Sequence, residues 1–351
     1  MDPVPRRKCG NTDLVLPALG LGCWAFGGGS YWGAQSQGDV DAVIGRSLEL
    51  GLDFFDTAEV YNEGASEESL GRALRGRRTE AIIGSKVSPN HAYRDTLRLH
   101  CEASLRRLGT DWIDIYMLHW PLSSNSLRHF TSEQARIDRP PTIQEALEAL
   151  ETLRREGKIR HIGLSNFGPV QMAEALKTGV PITINELPYN LMMRAAEFAA
   201  LPFCRERGIG VLGYSSLMQG ILSRRWGSFD ELAGVRLRTR HFSGSRPGSR
   251  HGEAGIEAEA FAALGAVADL AEGLGVPMSK LALAWAISNP AVTCTLVGCR
   301  NLSQLEENVA ALSYSLEPEI KRRLDAATAE VKAKLGPVLD YFQSRETARS
   351  E

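Results

Sequence analysis

The chain has 351 residues, 43% of them apolar and 23% charged, with a formal net charge of −2 and a pI near 6.4. That balance offers no polycation to nucleic acid or to an anionic membrane, and no stretch is apolar enough to span a bilayer. The six cysteines (9, 23, 101, 204, 294 and 299) form no Cys-x-x-Cys pair, and Met1 to Lys8 holds no apolar signal region. Reduced thiols in a cytoplasmic protein are the expectation.

Residues 8–17 carry a turn signal between short β-type segments and predict a hairpin. The chain then alternates. Strand 18–23 precedes helix 37–50, whose apolar positions are Val40, Val43, Ile44 and Leu48 and whose end is marked by Gly51. Strand 52–55 follows, then helix 66–74 with Ser66 as its N-cap. Strand 81–87 leads to helix 93–108, stopped by Gly109, and strand 114–120 is closed by Pro121. Helix 142–156, strand 159–164, helix 169–178, strand 182–187, helix 198–207 and strand 209–215 continue the rhythm. Helix 278–288, strand 292–298 and helix 302–312 complete it, and a last helix spans 317–335.

Eight strands of near-continuous apolar character, each with a following helix, predict a closed (β/α)8 TIM barrel in a single domain over 1–351. A doubly wound sheet would show an early Gly-x-Gly-x-x-Gly turn; Gly27-Gly28-Gly29 has the wrong spacing, and no ribose-binding acid follows it. Residues 1–17 are the N-terminal hairpin, and 336–351 read as a polar tail behind the last helix. The long loops 122–140 and 223–257 follow strands, so they fall on the face where barrel enzymes keep their active sites.

Four ionisable residues converge on that face: Asp56 after the second strand, Tyr61 beyond it, Lys86 ending the third and His119 ending the fourth. Singly each has a bland reading, as a loop hydrogen bond, a surface phenol, a solvated amine or a satisfied core imidazole. Jointly, on adjacent strands, they make a proton-transfer site needing no metal and no nucleophile. Tyrosine is a poor donor near neutrality, and an ammonium from Lys86 is expected to lower its pKa while Asp56 keeps Lys86 charged. His119 is placed to hydrogen-bond a substrate oxygen or the phenol.

The chain resembles the aldo-keto reductase superfamily through Gly51-Leu-Asp-Phe-Phe-Asp-Thr-Ala-Glu-Val-Tyr, Gly84-Ser-Lys and Ser104-Leu-Arg-Arg-Leu-Gly-Thr-Asp-Trp-Ile-Asp. Leu118-His-Trp-Pro, Gly157-Lys-Ile-Arg-His-Ile-Gly-Leu-Ser-Asn-Phe, Leu296-Val-Gly-Cys-Arg and Glu307-Asn308 extend the likeness from about Lys8 to about Leu312. The resemblance implies the same barrel, a nicotinamide cofactor and the catalytic tetrad Asp56, Tyr61, Lys86 and His119. Hydride would pass between nicotinamide and a carbonyl or alcohol carbon while Tyr61 supplies or takes the proton.

It also implies that Ser165 and Asn166 hold the carboxamide, that Tyr214 stacks on the nicotinamide, and that Ser215, Leu217 and Gly220 approach the pyrophosphate. Gly298, Cys299, Arg300, Gln304, Glu307 and Asn308 would hold the adenosine end. Arg300 suits a 2′-phosphate, which favours NADP(H) over NAD(H). Glu186 stands where the family carries a carboxamide-binding glutamine. Charged, it would favour the oxidised cofactor; solvated or protonated, it would shift little.

Trp24, Phe26, Tyr31, Trp32 and Trp120 are the candidate substrate walls, suited to sugars, polyols, aldehydes and ketones alike. Arg246 and its basic neighbours would either line the substrate site or cover the pyrophosphate. The expected partner is a small carbonyl or alcohol, with homo-oligomerisation left open. Two rivals stand beside this reading: a cofactor-sensing regulatory subunit like channel β-subunits, and a barrel using Lys86 as a Schiff-base amine.

Overall fold

The computed structural model describes residues 3–350, so expectations for residues 1, 2 and 351 lie outside it. Two short strands, β1 (Arg6–Lys8) and β2 (Val15–Pro17), form the expected antiparallel hairpin. Eight parallel strands then close on themselves: β3 (Leu19–Gly22), β4 (Phe54–Asp56), β5 (Ile82–Val87), β6 (Ile113–Leu118), β7 (Ile159–Ser165), β8 (Ile184–Pro188), β9 (Gly210–Tyr214) and β10 (Cys294–Val297). Each pairs with its sequence neighbour, and β10 returns to β3, which makes the fold a (β/α)8 barrel.

The helices are α1 (Gln37–Glu49), α2 (Ala65–Ala73), α3 (Arg94–Leu108), α4 (Ser124–Leu127), α5 (Gln134–Asp138), α6 (Ile143–Arg155), α7 (Pro169–Lys177), α8 (Ala200–Glu206), α9 (Glu257–Gly273), α10 (Met278–Ile287), α11 (Leu302–Val309), α12 (Pro318–Ala327) and α13 (Ala329–Leu335). Local chemistry sets their bounds. At the start of α6 the Thr142 hydroxyl accepts from the Glu145 N–H at 3.2 Å, and Ala146, Leu147, Leu150 and Leu153 bury one face. At the end of α3, Gly109 turns left-handed at φ 64°. No single described helix is long and apolar enough to cross a membrane.

The hairpin stoppers the end of the barrel where the strands begin. Cys9 and Leu16 pack with the inward residues Phe54, Ile115, Met117, Ile184, Leu212, Cys294 and Leu296. Gly10 makes this possible: at φ +54° a Cβ there would lie 1.8 Å from the Gly208 carbonyl oxygen. All six cysteines are buried and unpaired.

Several expectations are corrected. Helix α9 occupies a stretch in which the sequence predicts no element, because its alanine-rich apolar face lacks the sharp periodicity that marks a helix. The last helix is broken at Thr328, whose hydroxyl donates back to the Leu324 carbonyl at 3.1 Å and accepts from Arg194 at 3.1 Å. Helix α2 is capped by left-handed Gly64, not by Ser66, whose buried hydroxyl donates to the Cys23 carbonyl instead. Residues 336–350 are no solvated tail: Leu339, Asp340, Tyr341, Gln343, Arg349 and Ser350 are all buried.

Candidate active site

Strand parity explains how the polar residues gather. Phe54, Met117, Ile184 and Leu212 face the barrel interior, so Asp56, His119, Glu186 and Tyr214, two positions on, face it too. Gly84 and Gly163 hold the same inward positions on β5 and β7 and set the direction of Lys86 and Ser165; a Cβ at Gly163 would lie 2.6 Å from Met117 Cγ. These side chains meet above the inner core, at the end where the strands finish.

Lys86 is the centre, and it is fully buried. Its Nζ donates to Asp56 Oδ1 and Oδ2 at 2.7 and 2.6 Å, to the Thr57 carbonyl at 3.0 Å and to Tyr61 Oη at 3.3 Å. Glu186 Oε2 lies 3.4 Å from the same nitrogen. Desolvation opposes the ammonium, but Asp56, Glu186 and Tyr61 outweigh it and hold Lys86 well above the usual lysine range. The expected lysine–phenol contact is therefore present. Its effect on Tyr61 is smaller than expected: burial pushes the phenol up, the Asp56 and Glu186 charges add to that, and the downward pull of Lys86 does not overcome them.

His119 sits beside Tyr61, ring centroids 5.7 Å apart at 75°, and burial, helped by Lys86, holds it neutral with its pKa well below the usual value. Its Nδ1 is buried without a partner, as is Glu186 Oε2. Asn166 ties neighbouring strands together: its Nδ2 donates to the His119 carbonyl at 3.1 Å and to Ser165 Oγ at 3.0 Å, and its Oδ1 accepts from Tyr214 Oη at 2.8 Å. Backbone strain collects at this mouth. Among the described residues, the non-glycine positions with positive φ are Asn62, Glu63, Asn166, Ser215, Met218 and Gln219, all in loops leaving β4, β7 and β9. Each costs roughly 1–2 kcal/mol, less for asparagine, the kind of strain that functional sites retain.

The remaining candidates line a path outward. Leu217 is half-buried beside left-handed Gly220, where a Cβ would meet Arg236 Nη1 at 3.4 Å. Gly298 and Gln304 are exposed, Cys299 and Asn308 buried, and Asn308 Nδ2 donates to the Gly298 carbonyl at 3.4 Å. Glu307 accepts from Ser303 Oγ at 3.2 Å. Arg300 Nε donates to Gln35 Oε1 at 3.0 Å and Nη2 to the Ala34 carbonyl, so one edge of its guanidinium is already held.

Trp24 stacks on Tyr31 at 4.7 Å and meets Trp32 edge-on at 5.3 Å and Tyr61 at 5.9 Å, so the aromatic wall reaches the phenol. Phe26 is buried core rather than wall. Arg246 is committed to Glu257 at 2.6 and 2.7 Å. Arg238 and Val235 of that insertion contact Tyr31 instead, and Gln219 accepts from its hydroxyl at 2.5 Å.

Sequence reasoning missed three groups. Asn62 Nδ2 donates to the Trp24 and Phe26 carbonyls at 2.8 and 2.9 Å, joining the aromatic wall to the Tyr61 turn. The segment 339–350 caps the mouth: Ser350 Oγ donates to the Asn166 carbonyl at 2.5 Å, and Arg349 lies over Trp120. Leu339, Tyr341 and Phe342 were its signal, diluted among polar neighbours.

The third is Glu59, whose carboxylate accepts from His91 Nδ1 at 2.8 Å, His100 Nδ1 at 2.7 Å and the Ser88 N–H at 2.8 Å. Although burial opposes it, these bonds hold the Glu59 carboxyl far below the carboxylate range. The two rings stack 3.6 Å apart at 14°, so their in-plane donors run side by side into separate oxygens. That makes a strut bracing the Asp56–Tyr61 loop; a single metal ion would need the rings splayed apart. Two surface grooves of about 580 and 590 Å3 lie on the helical exterior and include none of the mouth residues.

The profile described as "Aldo/keto reductase family" matches residues 18–329. The chain is 32% identical to the NADH-specific methylglyoxal reductase of Escherichia coli over 328 residues, covering 88% of this chain and 93% of that one. It is 31% identical to the methylglyoxal reductase YeaE of the same organism over 324 residues, covering 92% and 94%. Among solved structures, the aldo-keto reductase of Klebsiella pneumoniae in complex with NADPH superposes with a TM-score of 0.68 at 26% identity, covering 99% of both chains.

Proposed function

The chain belongs to the aldo/keto reductase family, and from that premise we propose that it moves hydride between a nicotinamide dinucleotide and the carbon of a small carbonyl or alcohol, the whole chain acting as one unit. The observation that carries this is the 3.3 Å contact from Lys86 Nζ to Tyr61 Oη inside a buried carboxylate cluster. An ammonium there stabilises the phenolate that remains when the phenol has given up its proton.

Within that reading Tyr61 gives its proton to the carbonyl oxygen in reduction and takes it back in oxidation. Lys86 compensates the charge on the phenolate, and Asp56 fixes the ammonium with two short hydrogen bonds. Neutral His119 offers a ring N–H to the same oxygen and orients it. The bound nicotinamide supplies or accepts the hydride. The residues fit such a group: two buried polar atoms without partners, His119 Nδ1 and Glu186 Oε2, flank the phenol–amine pair, and the strained loops at Asn166 and Ser215 open on the same mouth.

Ser165, Asn166, Glu186 and Tyr214 would take the nicotinamide end, Ser215, Leu217 and Gly220 the pyrophosphate, and Gly298, Cys299, Arg300, Gln304, Glu307 and Asn308 the adenosine. NADP(H) is favoured through the free edge of Arg300, although one relative is named NADH-specific. Trp24, Tyr31, Trp32 and Trp120 form the substrate walls. Because two relatives are named methylglyoxal reductases, small 2-oxoaldehydes belong in the first substrate set with sugars, polyols and aromatic carbonyls. The test is absorbance at the reduced-nicotinamide band, run in both directions over that set with wild type and Tyr61→Phe. Multiple turnover by wild type supports the reading; equal turnover by Tyr61→Phe overturns it.

A further inference from the structure

The cluster around Lys86 contains one carboxylate too many. A lysine ammonium has three N–H donors; one is shared by the two Asp56 oxygens, and the Thr57 carbonyl and Tyr61 Oη take the other two. Glu186, 2% exposed, is left with Oε2 3.4 Å from Nζ, attracted by the ammonium but outside hydrogen-bonding geometry, and beside the Asp56 carboxylate. With both acids ionised the buried cluster would carry a net negative charge, and an unbonded carboxylate away from water is strongly disfavoured. Asp56 holds the shortest contacts of the ammonium, 2.6 and 2.7 Å, so the compensating proton belongs on Glu186.

The groups facing Glu186 are Asp56 on β4, Lys86 on β5, Tyr61 in the loop after β4 and Tyr214 on β9. Both phenols are pushed upward by burial and stay neutral; burial raises Asp56 too, but its close contact with the ammonium keeps the charge there and leaves the proton to Glu186. Burial and the adjacent Asp56 charge push Glu186 up to about 8, in agreement with the donor count. Protonated, Glu186 offers one O–H and one acceptor oxygen, nearly the shape and polarity of a glutamine.

Resting on the reductase reading, we propose that Glu186 holds a proton in the resting site and releases it when the oxidised, positively charged nicotinamide binds, but keeps it when the reduced, neutral form binds. Glu186 is separated from the reacting oxygen only by the Lys86–Tyr61 contact, so a positive ring within hydride reach of that oxygen lies close to it in a site of low polarity. The balance is one proton out per oxidised cofactor bound: the acid loses H+ to solvent, the carboxylate gains the ring cation as counter-charge, and no bond to the cofactor forms. Rising pH therefore favours the oxidised form and the alcohol-to-carbonyl direction.

The experiment is calorimetric titration of wild type and Glu186→Gln with NADP+ and NADPH, or NAD+ and NADH if those bind, between pH 6 and 9. Each is run in buffers of different ionisation enthalpy so that released protons are counted. Taking the ratio of the two affinities cancels any titration of the shared dinucleotide phosphates. The expected result is that the oxidised/reduced Kd ratio of wild type falls about tenfold per pH unit below pH 8 and levels above it, with close to one extra proton released by the oxidised form. In Glu186→Gln the ratio is flat. The proton count on wild type needs no variant, so a poorly folding variant does not spoil the test. A flat ratio in wild type, or the same slope in Glu186→Gln, overturns the proposal alone. Failure of both cofactor pairs to bind at any pH overturns the reductase reading and the proposal with it.

Discussion

The Arg349 guanidinium lies over the Trp120 ring, 3.5 Å from its centroid, and is gripped along its Nε–Nη2 edge by Asp340 through bonds of 2.6 and 2.8 Å. Asp340 is fully buried and Arg349 nearly so. The segment that caps the mouth is thus fastened to the strand-end tryptophan beside His119. Removing one partner leaves a buried charge unpaired, which costs about 3–5 kcal/mol. Arg349→Met is expected to lower Tm, to make residues 336–350 sensitive to protease and to raise KM more than it lowers kcat. The double variant Arg349→Met/Asp340→Asn recovers part of the loss, and double-mutant melts check it; strictly additive losses would contradict the pairing.

Tyr61→Phe removes the proton and leaves the ring against Trp24. Proton transfer by a positioned acid contributes about 10²- to 10⁴-fold, and kcat is expected to fall by that order. Cofactor Kd, read by quenching of protein fluorescence, stays within about twofold.

Arg300→Ala tests the dinucleotide preference. A hydrogen bond to a charged group contributes about 1.5–3 kcal/mol, roughly ten- to hundredfold in Kd. The variant is expected to lose that much affinity for NADPH and almost none for NADH. Equal losses for both would remove Arg300 from the phosphate.

His241 gives an acid limit to stability. It is fully buried, its Nε2 donates to the Met192 carbonyl at 2.9 Å, and its Nδ1 accepts from Thr239 Oγ1 at 2.9 Å, which defines the neutral ring. Burial lowers its pKa from 6.5 to about 4. The unfolded chain therefore binds a proton that the folded chain refuses between those values. Stability from this group is full above pH 6.5 and falls as pH drops toward 4, by up to about 3 kcal/mol. His241→Gln is expected to flatten that part of the Tm-against-pH curve, checked by melts at half-unit steps.

The barrel and the cluster around Lys86 were legible because both follow from short-range rules. Apolar runs of strand length repeat eight times, and strand ends carry Asp56, Lys86 and His119 to one face without knowledge of the whole; Glu186 was placed by the family resemblance alone, at the carboxamide and not in this cluster. What stayed hidden depends on competition between neighbours far apart in the chain. The upward push on Tyr61 comes from burial that no local pattern records. The Glu59 strut joins residues 32 and 41 positions away, and Ser350 reaches back 184 positions to Asn166. Ser66 carried a helix-cap signature but spends its hydroxyl on the Cys23 carbonyl, a partner visible only once β3 and β4 lie together.

The hairpin stopper, held by the close approach of Gly10 to Gly208, and the packed core above it leave the polar cluster open at one end of the barrel only. If a dinucleotide and a carbonyl bind as proposed, they would share that end, and whatever seats deeper would arrive first and depart last. Departure could then limit the steady-state rate as readily as the chemistry, with the Trp120–Arg349 cap beside the path out.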